Sequence, residues 1–225
     1  MSVARLSAID RREQLLAVAL TTFARSGYHE TSMNEVAEAA GVTKPVLYQH
    51  FASKRDLYLA LLHEVGSQMV TAFRAATAGL TDGRKQTREG FRGYFRWVAG
   101  NRDAFVLLYG AGSRQDEEFA QAVRRFTDAS ARSIAPLIAA GIDSEHQLTL
   151  AHAIVGMSEA AGRRLVEQGA DFDPDEVADQ LSTMAWAGLR SLAHPTGCRL
   201  PHDAEPSRQS PRDEGMGRAF ATLLG

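Results

Sequence analysis

Apolar residues in this chain recur at i, i+3, i+4 and i+7, and no stretch alternates with period two. That spacing builds one-sided helices and gives a sheet no face to bury. Helix starts are marked as clearly as helix faces. Ser7 precedes Asp10 by three residues, and the same spacing joins Ser32 to Glu35, Ser53 to Asp56, Ser113 to Asp116 and Ser144 to Gln147. A hydroxyl so placed accepts from the unpaired N–H groups of a first turn, and an acid there suits the positive end of the helix dipole. The run Asp173-Pro174-Asp175-Glu176 adds a cap, a first-turn proline and first-turn acids. The pattern predicts an all-α chain of nine helices, near 8–26, 32–39, 43–50, 54–78, 84–100, 103–111, 115–140, 144–168 and 174–194. Gly27, Gly41, Gly79, Gly83, Gly141 and Gly169 separate them, and Pro136 predicts a kink in the seventh. Pro201, Pro206 and Pro211, with few apolar neighbours, mark 196–225 as a flexible tail.

Composition narrows the function classes. At 225 residues and 44% hydrophobic content the chain can bury a real core. No run of 18 uncharged apolar residues occurs, so no membrane span is expected. Arg5, Asp10, Arg11, Arg12 and Glu13 near the start do not read as a signal peptide. Cys198 is the only cysteine, which excludes an internal disulfide and a thiolate zinc cluster and fits the reducing cytoplasm. A formal net charge of -2 argues against a nucleic-acid binder when taken alone. Its distribution argues otherwise: residues 1–62 carry net +1, 63–195 net -3 and 196–225 net 0. Within 43–55 stand Lys44, His50, Lys54 and Arg55, with no acid.

The first three helices form a recognisable unit. Leu16, Leu20 and Phe23 share a face of the first, and Met33, Val36, Ala37 and Ala40 a face of the second. Gly41 permits a sharp turn, Thr43 caps the third helix, and Pro45 sits in its first turn. Leu47 and Phe51 point to the core, so Lys44, Val46, Tyr48, Gln49 and His50 point elsewhere. Two short helices joined by a tight glycine turn describe a helix-turn-helix, whose second helix enters the DNA major groove. The segments Phe23-Ala-Arg-Ser-Gly-Tyr28, Thr31-Ser-Met-Asn-Glu-Val-Ala37, Ala40-Gly-Val-Thr-Lys-Pro-Val-Leu-Tyr-Gln-His-Phe51 and Ser53-Lys-Arg-Asp-Leu57 resemble the TetR family of bacterial transcriptional regulators, without a gap over 9–62. Thr22 departs from the pattern, where the family usually has an apolar residue.

The resemblance implies roles by position. Thr43, Tyr48, His50 and Lys54 match phosphate contacts, as does Thr31 or Ser32 at the start of the second helix. Lys44, Val46 and Gln49 match base contacts, and Pro45 a thymine-methyl contact. The chemistry agrees: lysine suits guanine acceptors and glutamine suits adenine. Tyr48 has a core reading beside the phosphate one, and Val46 also reads as a residue without a base to touch.

Beyond residue 62 the resemblance is one of architecture. Of the 17 aromatics, eight fall within 91–126, a texture that serves either a core or an apolar ligand pocket. Candidate lining residues are Leu62, Phe73, Phe91, Tyr94, Phe95, Phe105, Leu108, Tyr109, Phe126 and His152, with Tyr94, Tyr109 and His152 as polar anchors. In the last two helices, Ile154, Met157, Ala161 and Leu165, then Leu181, Met184, Gly188 and Leu192, form the stripes that the resemblance assigns to a dimeric four-helix bundle. The expected organisation is a DNA-binding domain at 1–53, a ligand-binding and dimerisation domain at 54–195, and the tail. The expected function is a homodimeric repressor, released from a near-palindromic operator by a small, mainly apolar effector. A dimer governed by a protein partner, or by no effector, is the alternative. An all-helical enzyme is the more distant one, since neither a nucleophile elbow, a phosphate-cradling loop nor a His-Glu-x-x-His pair occurs. No catalytic set, metal site or cofactor is expected.

Overall fold

In the computed structural model, which describes residues 7–138, 141–169 and 171–193, helices begin where capping side chains stand. Ser7 heads α1 (Ala8–Glu30) and Ser32 heads α2 (Met33–Ala39), each in a reciprocal capping box. α3 (Lys44–His50) follows Thr43, and α4 (Lys54–Thr77) follows Ser53, which accepts from the Asp56 N–H. Asp82 caps α5 (Gly83–Gly100). Then come α6 (Arg102–Tyr109), α7 (Ala111–Gln115), α8 (Glu117–Ile134), α9 (Ser144–Glu167) and α10 (Pro174–Ala193). No strand occurs among the described residues, so the fold is all-α. None of these helices is long and apolar enough to cross a membrane.

Local details differ from expectation. Gly27, at φ +80, interrupts the helical geometry inside α1. The five-residue helix α7 has no counterpart among the expected helices, and Ser113 lies in it, donating to the Leu108 and Gly110 carbonyls. Asp116 therefore caps α8, and Asp143, not Ser144, caps α9. Pro136 ends a helix instead of kinking it: α8 stops at Ile134 and a 3-10 turn, Ala135–Leu137, follows. The tail over 196–225, with Cys198, lies outside the described residues.

Leu16, Phe23, Met33, Val36, Leu47 and Phe51 are buried among α1, α2 and α3. Gly41, at φ +64, supplies the left-handed residue of the α2–α3 turn. The same apolar cluster continues past Ser53 into Leu57, Tyr58 and Leu61 of α4, and on to Phe105, Leu108 and Phe119. Thr22 is buried within it, and its hydroxyl donates to the Val18 carbonyl at 2.8 Å, so no polar group is orphaned. α5 packs between α4 and α10. Against α4 the approach is close, because a Cβ on Gly93 would stand 2.6 Å from the Ala76 Cβ. Against α10 an ionic ladder forms: Arg88 reaches Asp179 at 2.6 Å and Arg96 reaches Asp175 at 2.7 Å.

Candidate functional site

α3 has one face locked and the other open. Leu47 and Phe51 are buried, and the Arg12 guanidinium lies 5.0 Å over the Phe51 ring. Thr43, Lys44, Pro45, Tyr48 and Gln49 are exposed, while Val46 and His50 are half-buried. Tyr48 is 43% exposed, with the Lys44 ammonium 5.9 Å from its ring centre, which makes it a surface residue and not a core one. The Thr43 side chain makes no capping hydrogen bond. The open face thus offers a cation, an amide and hydroxyls in one short row, a set that matches base edges and phosphates.

The two residues before α2 behave differently. Ser32 is exposed, but its hydroxyl accepts from the Glu35 N–H, and its own N–H donates to the Glu35 carboxylate at 2.6 Å. Hydrogen bonding to the carboxylate from the Ser32 backbone N–H, and then from the Ser32 side chain, holds Glu35 below the usual carboxylate range. Thr31 is 1% exposed and its hydroxyl donates to the Gly27 carbonyl at 2.8 Å, which removes it from any phosphate.

Lys54 also departs from its expected role. Its ammonium donates to the carbonyls of Tyr28 at 2.8 Å, His29 at 3.1 Å and Thr31 at 2.9 Å, and lies 4.6 Å from the Tyr28 ring centre. All three of its donors are spent. The acceptors belong to the end of α1, where unpaired carbonyls and the negative end of the dipole collect. Lys54 is therefore a clamp between α1 and α4. Arg55 turns the other way, with a two-pronged grip on Asp116 at 2.8 Å and its Nε on Glu118 at 2.6 Å. Those bonds raise the Arg55 guanidinium and hold Asp116 below the carboxylate range. Of the basic groups in 43–55, Lys44 and His50 carry no hydrogen bond or ion pair among the described residues. Between the two clamps, Phe23 and Tyr28 pack on Tyr58 at 5.1 and 4.9 Å, and Phe119 packs on Tyr58 at 4.6 Å. Burial pushes the Tyr58 phenol up to about 12.

A second site lies in the bundle. Phe73, Phe91, Tyr94 and Tyr109 line a cavity of about 80 Å³. Leu62, Phe95 and Phe105 are buried core residues instead, and the buried Leu108 lines a neighbouring cleft together with Tyr109. Phe126 covers Gly66, where a Cβ would come within 2.4 Å of its ring. His152 is on the surface, its Nε2 3.8 Å from Asp128. The walls that sequence reasoning missed are mostly aliphatic, among them Met69, Ile134, Ile138, Val155 and Leu189, with Thr87, Ser130 and Ser158 as polar spots. Part of the Tyr94 residue remains accessible, yet its hydroxyl is buried without a hydrogen-bond partner. Desolvation raises its pKa.

The residues of the two stripes on α9 and α10 divide between inward and outward positions. Ile154, Met157, Ala161, Leu165 and Leu181 are half-buried against this chain's own Phe91, Phe95 and Ala178, and Ile154 also lines the cavity. Met184, Leu192 and Gly188 do face outward, the first two 56% and 43% exposed. The exposed residues of α9 include the small Ala153, Gly156 and Ala160 along with Thr149 and Arg164.

The similarities to known proteins follow this layout. The family model described as bacterial regulatory proteins, tetR family, matches residues 15–61. The model described as tetracyclin repressor-like, C-terminal domain, matches 84–188. The HTH-type transcriptional activator FasR of Mycolicibacterium smegmatis is 32% identical over 187 residues, 82% of this chain and 85% of its own length. A TetR-like transcriptional regulator from Rhodococcus sp. RHA1 superposes with a TM-score of 0.70 at 31% identity, covering 83% of this chain and 99% of that one. The regulator FadR from Bacillus subtilis, solved in complex with stearoyl-CoA, shares the fold at a TM-score of 0.65 and 16% identity, over 82% of this chain and 99% of its own. With a helix-turn-helix at its start, a helical bundle behind it and these relatives along most of its length, the chain belongs to the TetR family of bacterial transcriptional regulators.

Proposed function

We propose that this chain works as a cytoplasmic homodimer that grips a near-palindromic operator with α3 and lets go when a small, largely apolar molecule enters the bundle cavity. The observation that carries the reading is the open Lys44–Tyr48–Gln49 face on a helix whose Leu47 and Phe51 side is locked. Pairing through the outward faces of α9 and α10 would set two such helices one DNA turn apart, roughly 34–36 Å.

Coupling between the sites runs along α4. Its first residue, Lys54, clamps the end of α1, and Met69 and Phe73 further along it line the cavity. The cavity, about 80 Å³, is well below the roughly 300–1,000 Å³ of ordinary ligand sites. A ligand must therefore part its walls, and α4 is one of them. A molecule that prefers the parted state draws the dimer toward head positions that no longer match the operator. The FadR complex with stearoyl-CoA supports a long alkyl chain as the apolar part of the ligand. Release from DNA relieves repression where the operator blocks a promoter. Where the bound protein recruits polymerase, as the name of the FasR relative implies for that protein, release lowers transcription.

Selection of bound sequences from a random DNA library tests the reading. One near-palindromic consensus is expected, with retardation lost on adding stearate or stearoyl-CoA. Binding without sequence preference sinks the operator assignment. Release by a protein fraction and by no ligand would favour control by a partner.

A further inference from the structure

We infer that the effector ends in an anionic group, and that a cleft lined by arginines beside the cavity holds that end. The inference rests on the cavity reading above. The cleft lies along α7, α8 and α9 and presents Arg114, Arg124, Arg125 and Arg163. Tyr109 belongs to both linings, so cleft and cavity adjoin at that residue.

Charge in the cleft is out of balance. Its acids are engaged: Glu159 pairs with Arg163, and Asp128 faces Arg132 and His152. Arg124 reaches Glu117. Among the described residues, Arg114 and Arg125 have no carboxylate partner within ion-pair distance. Near Tyr109 two buried donors stand idle, the Tyr94 hydroxyl on the cavity side and the Arg163 Nε on the cleft side. Glu159, Arg163 and Tyr109 are the ionisable groups around that hydroxyl. A protein seldom buries a donor without an acceptor, and these two sit where an arriving acceptor would satisfy them.

The layout has a direction. Apolar walls such as Phe73, Phe91 and Ile154 take a chain. The Tyr94 hydroxyl takes an acceptor near the chain's end. The cleft takes a carboxylate or a phosphoryl group, which arginine binds through two parallel bonds. The ligand class is an anionic amphiphile, with a free fatty acid and a nucleotide-bearing acyl thioester as its two sources.

The test uses the full chain with stearate, stearoyl-CoA and uncharged stearyl alcohol, each below its aggregation concentration, read by intrinsic tryptophan fluorescence. At least one anion is expected to bind about tenfold tighter than the alcohol. The variant carrying Arg114→Glu and Arg125→Glu should weaken that anion about tenfold and leave the alcohol within about twofold, which also shows that it is folded. Tyr94→Phe should weaken the anion while its melting temperature stays level or rises, since an idle buried hydroxyl is removed. The anion with the larger advantage identifies the source. Equal binding of the alcohol and both anions, untouched by the arginine changes, overturns the inference and leaves the cavity reading standing. No binding of any of the three brings down both.

Discussion

Lys44 and Lys54 carry the same charge ten residues apart, and the fold sets them to opposite tasks. Lys44 stands on the open face of α3, with no carbonyl or carboxylate among the described residues holding its ammonium, beside Tyr48 and Gln49. Lys44→Ala and Tyr48→Ala are each expected to cost about 1–3 kcal/mol of operator affinity per half-site. Lys44→Ala should also lower the slope of log affinity against log salt by about 1 per half-site. Melting should be unchanged in both, and competitive gel shifts at several salt concentrations check it. Wild-type affinity in both variants would refute the reading-helix assignment. Lys54→Ala should do the reverse. It strips three carbonyls at the end of α1 of their donor. Hydrogen bonds to a charged group are worth about 1.5–3 kcal/mol each, so melting should fall by several degrees. Lys54→Arg should restore little, because a planar fork does not meet three converging acceptors. An unchanged melting point with a reduced salt slope would return Lys54 to the phosphate backbone.

Between helices, the contacts that fix α5 are of two kinds and respond to different changes. Toward α4 the fit is steric: an added Cβ at Gly93 meets the Ala76 Cβ at 2.6 Å and the Ala72 carbonyl at 3.3 Å, and backbone does not swing aside as a long side chain does. Gly93→Ala is therefore expected to lose about 1–3 kcal/mol by denaturant titration, the usual cost of overpacking. Toward α10 the fit is ionic. Hydrogen bonds from Arg88 hold Asp179, and those from Arg96 hold Asp175, below the usual carboxylate range. A carboxylate with a lower pKa folded than unfolded contributes stability above its unfolded value near about 4, and loses it as pH falls through the folded value. The variant with Asp175→Asn and Asp179→Asn should melt below wild type at neutral pH. That gap should close in acid and narrow in high salt, because these groups are partly exposed. A gap independent of pH would mean that packing, not charge, joins α5 to α10.

Taken as a molecule, the proposed homodimer depends on the outward faces of α9 and α10, since two reading heads on one operator must belong to one particle. Charging the exposed apolar residues, Met184→Arg with Leu192→Arg, is expected to yield a monomer by light scattering and to abolish operator retardation. A dimer that survives both changes would place the pairing surface elsewhere. The helix-turn-helix is legible in the amino-acid sequence because its signals are local. Capping spacing, the Gly41 turn and the four-residue step from Leu47 to Phe51 decide which side of α3 is wet. The role of Lys54 is not legible in this way, because its three acceptors lie 23 to 26 residues upstream, and the partners of Arg55 lie 61 to 63 residues downstream. Neither distance leaves a periodic trace. Phe91 and Phe95 share a helix face in sequence, yet one lines the cavity and the other fills the core. The stripe on α9 turns inward because a helix apolar on two sides gives its own periodicity no means of choosing between them. Sequence alone determined an all-α chain, most of its helix boundaries and the exposed face of α3, since each follows from interactions within a few residues. The cavity, the clamps on α4 and which apolar residues of α9 and α10 stay exposed were decided only by tertiary structure, because each is set by where distant helices meet.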